Sequence, residues 1–343
     1  MRIMIAGLGS MGRRRARNLA SMGEFTIVGV DPRLDRRHAF STEFGWIAFS
    51  TYDEAIASFS PDVLIVSTSP EAHLHYAEMA AMGGMHCFIE ASVGPLTDAQ
   101  RLVAIAENSS SVMVPSCTML FVESVQAVLD ALDSGAIGQP LLLTYHVGQY
   151  LRDWHPWEQI EDFYVSHRET GGCREIVPFE LTWLVKLLGD ASLIACTRGT
   201  IGDLGVDIDD YYQCLLTFAS GTSASLTVEV LSRPQATRHF VLAGTHGKIE
   251  FTNEEIRLDS LKGEELNFRI DVAKSDVAPG YIYPDTPYVL EMRAFLNAVQ
   301  TGNSSDFPNS FEDDFKVLSL LHECESMSAL SGSINGPTTK ALD

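Results

Sequence analysis

Short apolar runs alternate with helix-like segments along the first third of the chain. Five runs are mostly apolar, which is typical of strands covered on both faces: 2–6, 25–30, 63–67, 86–90 and 112–115. Four segments between them carry apolar residues at helical spacing: 13–22, 52–59, 71–82 and 97–108. Strands that alternate with helices in this way predict a parallel, doubly wound sheet.

The rest of the chain has a different pattern. Five further runs predict strands, and some of them alternate apolar with polar residues, as in a sheet with one covered face: 141–150, 211–218, 223–231, 239–243 and 248–251. Amphipathic helices are predicted at 288–301 and 311–330. We therefore predict an α/β protein of two domains, residues 1–120 and residues 121–343.

A glycine-rich turn joins the first strand to the first helix. It reads GLGSMG at residues 7–12, and Asp31 ends the second strand about twenty residues further on. Gly7 permits the tight turn, Gly9 lets a pyrophosphate approach the backbone, and Gly12 lets helix and strand pack closely. The N–H groups and positive dipole end of the helix would then face the phosphates. A plain glycine turn is the alternative, but the surrounding strand, helix and acid favour a dinucleotide site.

Loops after the strands complete the predicted cofactor site. The residues predicted to bind the cofactor are Gly7, Gly9, Ser10, Met11, Gly12, Asp31, Thr68, Ser69, Pro70, His73 and Glu90. For His73, packing at a helix start is an equal alternative. Asp31 favours NAD, because a carboxylate accepts hydrogen bonds from the ribose 2′-hydroxyl and repels a 2′-phosphate. NADP stays an alternative, because three nearby basic residues would neutralise a 2′-phosphate: Arg33, Arg36 and Arg37. The other interpretation is that these arginines only form a solvated face.

Charge and composition exclude several classes of protein. The 343 residues carry a formal net charge of −21, so neither a nucleic-acid partner nor binding to an anionic membrane surface is expected. No run of about eighteen apolar residues predicts a spanning helix, and the six cysteines form no CxxC pair. We therefore expect a cytoplasmic protein with free thiols and no metal site.

Residues 1–37 have a positive net charge, unlike the chain as a whole, because they contain eight basic and three acidic side chains. Four basic residues lie on the first predicted helix: Arg13, Arg14, Arg15 and Arg17. At that spacing they cannot all face one ligand. We expect one of them near the pyrophosphate and the others at the surface.

Several motifs together resemble one protein family. Besides the glycine turn they are STSPEAH at 67–73, AMGGMHCFIEASVG at 81–94, SGAIG at 134–138, a glycine pair at 171–172 and GTHGKIE at 244–250. With these motifs the chain resembles, over nearly its whole length, the Gfo/Idh/MocA family of glucose-fructose oxidoreductase and inositol dehydrogenase relatives. The resemblance implies an N-terminal Rossmann domain and a C-terminal α/β domain with a large open, mostly antiparallel sheet. It also implies a homodimer or homotetramer, because that sheet commonly packs against a partner subunit.

The same resemblance shows where the family's catalytic residues have changed. The family's Glu-Lys-Pro reads EAS at 90–92, so the lysine that acts as acid/base or orients the substrate hydroxyl is missing. The family's Asp and, a turn later, its His fall in the stretch 174–180, where Glu175 lies at or beside the Asp position and Phe179 at the His position. The family's Asn-Arg-aromatic-His run has become TMLFV at 118–122. Either the chemistry is weak, different or absent, or other residues carry the proton.

Two residues are predicted to do so, Glu175 and His155. Taking a proton from oxygen as hydride leaves carbon needs a positioned base, which is worth about 10²–10⁴-fold in rate. Glu175 is either that base, a ligand for a substrate hydroxyl, or an acid that only favours the helix start. His155 titrates near neutral pH. Pro178 predicts the first turn of the helix, which makes Glu180 an early-turn acid.

The residues predicted to bind substrate are Trp154, Trp157, Tyr164, His167, Arg174 and Glu180. Aromatic rings in this irregular stretch would stack on a sugar face, and packing within the loop is the alternative. Arg174 would either pair with the neighbouring Glu175 or hold an anionic substrate group.

We therefore predict an NAD(P)-dependent oxidoreductase that acts on a secondary hydroxyl or keto group of a sugar, a nucleotide sugar or a related polyol acid. Segment 148–184 is most similar to members of surface-sugar or nonulosonic-acid pathways. Two alternatives stay open. One is a family member that binds dinucleotide without net turnover, as a sensor or regulatory partner. The other is a lyase, hydrolase or epimerase that uses bound NAD transiently.

Overall fold

The computed structural model describes residues 1–91, 93–154, 159–162, 164–263, 267–271 and 284–331. The chain divides into two compact units. The first unit comprises Met1–Phe121 and Asp285–Lys316, and the second comprises Val122–Pro284 and Val317–Asp343. The predicted boundary at residue 120 stays a prediction, and the structure adds that Asp285–Lys316 packs with the N-terminal residues.

Helices and strands follow one another along the whole described chain. The first elements are β1 (Arg2–Ala6), α1 (Ser10–Met22), β2 (Thr26–Val30), α2 (Leu34–Phe44), β3 (Ala48–Phe49), α3 (Tyr52–Ser58), β4 (Val63–Val66), α4 (His73–Gly83), β5 (His86–Ile89), α5 (Leu96–Asn108) and β6 (Met113–Pro115). The later elements are α6 (Glu123–Asp133), β7 (Pro140–Gly148), α7 (Cys173–Leu188), β8 (Ala191–Gly199), β9 (Tyr211–Phe218), β10 (Ser223–Glu229), β11 (Thr237–Gly244), β12 (Gly247–Thr252), β13 (Glu255–Ser260), β14 (Phe268–Asp271), α8 (Thr286–Thr301) and α9 (Phe311–Ser331). None of the described helices has both the length and the apolar character needed to cross a membrane.

In the first unit the described strands form a six-stranded parallel sheet in the order β3-β2-β1-β4-β5-β6. Ile3, Met4 and Ile5 of β1 are fully buried, as expected for a strand with helices on both faces. On one face Leu74 and Ala77 of α4 belong to the same apolar cluster as Met4. The predicted doubly wound sheet is confirmed.

In the second unit the described strands form an eight-stranded sheet in the order β14-β13-β12-β11-β7-β10-β9-β8. Neighbouring strands are antiparallel except for β7 and β10, which run parallel. Tyr145, Leu226 and Phe240 lie in one row on the face that α7 covers. Trp183 of α7 packs there, with its ring centroid 5.7 Å from that of Tyr145 and 5.3 Å from that of Phe240. The predicted mostly antiparallel sheet is confirmed.

Candidate functional site

Four parallel strands of the first unit end at the same level. Their last residues pair across the sheet: Ala6, Val30, Val66 and Ile89. The residues that follow them are Gly7, Asp31, Ser67 and Glu90. Ligands of open α/β sheets bind at this carboxyl edge, so the predicted cofactor residues come from loops that meet in one place.

The glycine turn fits only glycine at two positions. Gly7 has φ +85°, and a Cβ on it would lie 2.4 Å from the carbonyl oxygen of Ser67. A Cβ on Gly12 would lie 1.8 Å from the carbonyl oxygen of Gly7. The turn is fastened to the sheet by the Gly7 N–H, which donates to the Val30 carbonyl at 2.8 Å. The chain therefore turns sharply enough to aim α1 at the carboxyl edge.

The N-terminus of α1 is arranged to receive an anion. No side chain caps it, and no acidic residue stands in its first turn, which contains Ser10, Met11 and Gly12. A Cβ on Gly9 would meet only the side chain of Arg36, whose Nη1 atom would be 3.4 Å away. The positive end of the helix dipole is thus left for a pyrophosphate, and these residues fit a dinucleotide.

Asp31 is oriented by the backbone of the same turn. It is 2% exposed, and its two carboxylate oxygens accept hydrogen bonds of 2.8 Å from the N–H groups of Leu8 and Arg33. Each oxygen has a second lone pair for a ribose hydroxyl. Arg36 lies close by, with Nη1 3.8 Å from the Asp31 carboxylate. Arg36 therefore places a cation beside the carboxylate that is predicted to bind the ribose.

The other two arginines of this segment have different partners. Arg33 forms an ion pair with Asp35 at 2.6 Å. Arg37 donates to the main-chain carbonyls of Asp31 and Pro32, both at 2.8 Å. These contacts stabilise the turn after β2.

The loop after β4 is held from behind by a histidine. Thr68 and Pro70 are half-buried and Ser69 is exposed, whereas His73 is 2% exposed. The Nε2 atom of His73 lies 3.0 Å from the Thr68 carbonyl oxygen, which can only accept, so Nε2 carries the proton. Burial lowers the pKa of His73, and the imidazole is neutral. This contact favours the packing interpretation of His73, and its predicted contact with the cofactor stays a prediction.

Glu90 belongs to a buried charge network. Arg15 is 0% exposed and donates to both Glu90 carboxylate oxygens, at 2.7 and 2.9 Å. It also pairs with Glu291 of α8 at 2.8 Å. Burial by itself lowers the pKa of the Arg15 guanidinium, but the charges of Glu90 and Glu291 raise it above its ordinary value. The Ser67 hydroxyl donates to Glu90 at 3.2 Å, which connects this network to the loop after β4.

The sequence predicts that all but one of the arginines of α1 lie at the surface. For Arg14 and Arg15 this prediction is wrong. Arg14, like Arg15, is almost fully buried and pairs with Asp285 at 2.9 Å. The guanidinium of Arg14 also lies 4.1 Å from the ring centroid of Tyr288. The partners come from residues 285–291, far along the chain, so no local pattern could show them.

In the second unit a glycine brings a tyrosine close to the start of α7. A Cβ on Gly171 would lie 2.0 Å from the Cα atom of Val165, so only glycine lets the short 3₁₀ turn Tyr164–Ser166 pack there. The helix begins at Cys173, and Pro178 lies inside it rather than in its first turn as predicted. Glu175 is therefore the first-turn acid.

Tyr164 and Glu175 form a close pair. The Tyr164 hydroxyl lies 2.8 and 2.9 Å from the two carboxylate oxygens of Glu175 and donates to them. Burial raises the pKa of Glu175 to about 7, and the hydrogen bond from Tyr164 acts in the opposite direction. A carboxyl group with this pKa exchanges a proton readily at neutral pH.

Two other residues predicted to bind substrate are tied to the protein itself. Arg174 is 7% exposed and donates to Glu325 of α9 at 2.5 Å and to the main-chain carbonyl of Glu169. Glu180 is 0% exposed and pairs with Arg238 at 2.8 Å. These partners favour structural roles for both side chains.

The remaining predicted residues lie around an irregular stretch. His155 and Trp157 lie outside the described residues. Trp154 is half-buried, and His167 is exposed in a turn whose carbonyl accepts from Gly171. Their predicted contact with substrate stays a prediction.

Sequence comparison identifies the family. Residues 1–116 match the oxidoreductase family with an NAD-binding Rossmann fold, and residues 125–250 match the GFO/IDH/MocA C-terminal domain. The chain belongs to the Gfo/Idh/MocA family. The resemblance drawn from the motifs is confirmed, and so is NAD as the cofactor that the first domain binds. No relative was found among curated protein sequences.

Solved structures whose fold is similar to that of this Gfo/Idh/MocA chain include several dehydrogenases. An oxidoreductase from Agrobacterium radiobacter, in complex with NAD⁺, L-tartaric acid and magnesium, has a TM-score of 0.84 at 16% identity, over 97% of each chain. Levoglucosan dehydrogenase with NADH and levoglucosan has 0.82 at 17% identity, over 97% of this chain and 98% of that one. A UDP-N-acetylglucosamine 3-dehydrogenase from Acidithiobacillus ferrooxidans has 0.75 at 18% identity, over 97% and 99%. These likenesses show a shared fold.

The structure also describes the residues that are predicted to stand at the family's catalytic positions. Ala91 is exposed, and Phe179 is half-buried. Thr118 is buried and donates to Glu291 at 2.8 Å. An alanine and a phenylalanine cannot accept a proton, whereas Glu175, in the first turn of α7, has a carboxylate that can.

Proposed function

We propose that the protein is an NAD-dependent dehydrogenase or reductase of a carbohydrate-like substrate, acting on a secondary hydroxyl or keto group of a sugar, a nucleotide sugar or a related polyol acid. The family supports oxidoreductase chemistry. Relatives of the same fold have levoglucosan and UDP-N-acetylglucosamine in their names. The similarity of segment 148–184 to members of surface-glycan or nonulosonic-acid pathways supports the nucleotide-sugar end of this range.

The observation that carries the proposal is the Tyr164–Glu175 pair. In oxidation, Glu175 takes the proton of the substrate hydroxyl while the carbinol carbon loses hydride, and a carbonyl group forms. NAD, when bound, supplies the hydride acceptor. Tyr164 holds the carboxylate in place and keeps the pKa of Glu175 from rising further. In reduction the same carboxyl group returns the proton. His155 is the second proposed proton carrier.

For substrate recognition we propose the aromatic stretch around Trp154 and Trp157, with His167 beside it. A flat ring suits the apolar face of a sugar, and half-burial of Trp154 fits a ring at the edge of a pocket. Arg174 and Glu180 then support the site by holding α7 in position.

For the cofactor we propose a preference for NAD over NADP, because Asp31 presents a carboxylate held by two backbone N–H groups. Arg36 is the one arginine of the turn close enough to offset that preference. Replacing Arg36 by alanine is expected to weaken NADP use about 10- to 150-fold and leave NAD use unchanged, since a charge-assisted hydrogen bond is worth about 1.5–3 kcal/mol.

We also propose that copies of the chain associate through the uncovered face of the eight-stranded sheet, as a homodimer or homotetramer. Leu142 and Leu215 lie on that face and are 54% and 48% exposed. Light scattering after chromatography is expected to show an oligomer, and Leu215→Lys is expected to reduce it to a monomer. The free, buried cysteines support a cytoplasmic location.

The purified chain with NAD⁺ and a panel of sugars, nucleotide sugars and polyol acids tests the main proposal. A rise in nicotinamide absorbance with one substrate class supports it. NAD binding with no absorbance change on any substrate, in either direction, contradicts it.

A second function, NAD binding without net turnover, is favoured by Ala91 and Phe179 at the family's lysine and histidine positions. Tight NAD binding, no redox activity and a stable protein partner in pull-downs would support this sensor role. Activity that Glu175→Gln abolishes would exclude it.

A further inference from the structure

Three buried thiols lie together in the second unit, apart from the residues discussed above. Cys196 on β8 pairs directly with Cys214 on β9, and Cys324 is on α9. The Sγ atom of Cys214 lies 3.7 Å from the Sγ atoms of both Cys196 and Cys324. All three sulfurs lie within 4.8 Å of one another, and the residues are at most 4% exposed. The cluster is not recognisable from a CxxC spacing in the sequence, because its three cysteines come from three separate elements.

Two of the three sulfur–sulfur separations, at 3.7 Å each, match those around a single metal ion. With a metal–sulfur bond of about 2.3 Å, sulfurs in trigonal or tetrahedral geometry lie about 3.8–4.0 Å apart. A disulfide needs about 2.05 Å, so two of these sulfurs would have to approach by more than about 1.5 Å. A metal ion therefore fits the cluster with smaller movements than a disulfide does.

The donor set favours a soft ion with three ligands. Among the residues that the structure describes, no fourth cysteine, histidine or carboxylate joins the group. Thiolates are soft ligands that suit both Cu⁺ and Zn²⁺, but structural Zn²⁺ sites almost always have four ligands, so a set of three thiolates favours Cu⁺. Arg198 is two residues from Cys196 on β8, so its side chain leaves the same face of the strand. Its Nη1 atom pairs with Asp209, and its buried Nε atom has no hydrogen-bond partner among the described residues.

We propose that Cys196, Cys214 and Cys324 form a three-coordinate site for one Cu⁺ ion. Each thiol that binds as a thiolate releases one proton to solvent, and no group is oxidised or reduced. The ion ties β8 and β9 to α9, so binding stabilises the folded second unit by mass action.

The test uses the full chain, reduced and free of oxygen. Cu⁺ is added in competition with a coloured Cu⁺-specific chelator, and Zn²⁺ is titrated in parallel against its own indicator. We expect one Cu⁺ per chain, weaker binding of Zn²⁺, and a higher melting temperature with copper. Thiols that only pack together would give no competition, and a site that prefers Zn²⁺ would also overturn the proposal.

Two variants and one spectrum locate the ion. Cys214→Ser removes the central sulfur and is expected to weaken copper binding at least about 100-fold, in the range known for loss of metal-site groups. Cys87→Ser removes another fully buried thiol, in the first unit, and is expected to leave copper binding unchanged. X-ray absorption of the copper-loaded wild-type chain needs no variant. Three sulfur neighbours support the site, and nitrogen or oxygen neighbours contradict it.

Discussion

Replacing Glu175 by glutamine removes the proposed base and keeps its shape. The amide can still accept a hydrogen bond from Tyr164, so the helix start stays as it is. A positioned general base contributes about 10²–10⁴-fold, which corresponds to about 2.7–5.4 kcal/mol of transition-state stabilisation. We therefore expect kcat/KM for oxidation to fall by that factor, with NAD affinity unchanged. Steady-state kinetics with the substrate identified from the panel measure it.

The pH profile adds a second, independent readout. Only the ionised carboxylate accepts a proton, so wild-type kcat/KM for oxidation should rise with pH and level off above about 7. At pH 5 roughly one hundredth of the carboxyl is ionised, and the rate should be lower by the same factor. The Tyr164 hydrogen bond lowers the pKa of Glu175. Tyr164→Phe should therefore move the inflection to higher pH.

Glu169→Gln is the matched control, because Glu169 is an exposed carboxylate shortly before the same helix. It should leave both the rate and the pH profile as in the wild type. The reasoning fails if Glu175→Gln keeps activity within about threefold of the wild type at pH 8 and retains the inflection.

Three further predictions concern the first unit. Gly12→Ala should abolish NAD binding in calorimetry, because its Cβ would overlap the Gly7 carbonyl. Gly83→Ala should bind NAD normally, since the atom nearest to its Cβ would be the terminal methyl of the flexible Met85 side chain, at 3.2 Å. Arg15→Met should lower the free energy of unfolding by about 3–5 kcal/mol, since it leaves two buried carboxylates without their cation. Denaturant titration would count against this if the partly exposed Arg17→Ala cost as much, because such a pair is worth at most about 1 kcal/mol. Burial raises the pKa of Asp314 from 3.8 to about 7, so the folded protein binds more protons than the unfolded chain between these pH values, and stability falls as pH rises through them. Asp314→Asn should then stabilise the protein at pH 8, by at most about 4 kcal/mol, and leave its stability unchanged at pH 4. Equal melting curves of the variant and the wild type at pH 8 would contradict this, because they would show that the pKa of Asp314 is not raised.

The parts of the fold that depend on local pattern could be predicted from the sequence. β1 reads as a buried strand because the four residues after Arg2 are all apolar. The glycine turn after it is recognisable from its GxGxxG spacing, in which Gly12 is required by a contact with Gly7, five residues before it. The alternation of strands and helices then determines the parallel sheet. The family motifs extend this to the second sheet.

The parts that depend on long-range contacts could not be predicted. The burial of Arg15 requires Glu291, which is distant in sequence, and a charged residue on a helix reads as exposed until its partner is known. The start of α7 was misjudged because proline favours a first turn. Pro178 instead lies inside α7, where it has no N–H to donate to the carbonyl of Arg174, the residue four before it. The Tyr164–Glu175 pair depends on how closely Gly171 lets an irregular turn approach, which no periodicity encodes.

Because Asp285–Lys316 belongs to the first unit, the dinucleotide-binding domain cannot be produced by simply truncating the chain after its last strand. A fragment that ends at Phe121 would lack Glu291, leaving Arg15 with a single carboxylate, and would strip Phe295 from the ring of Phe88, 5.5 Å away. Such a fragment should aggregate or unfold, even though it contains every strand of the parallel sheet. A separate NAD-binding domain therefore also requires α8, joined by a new linker to residues 1–121.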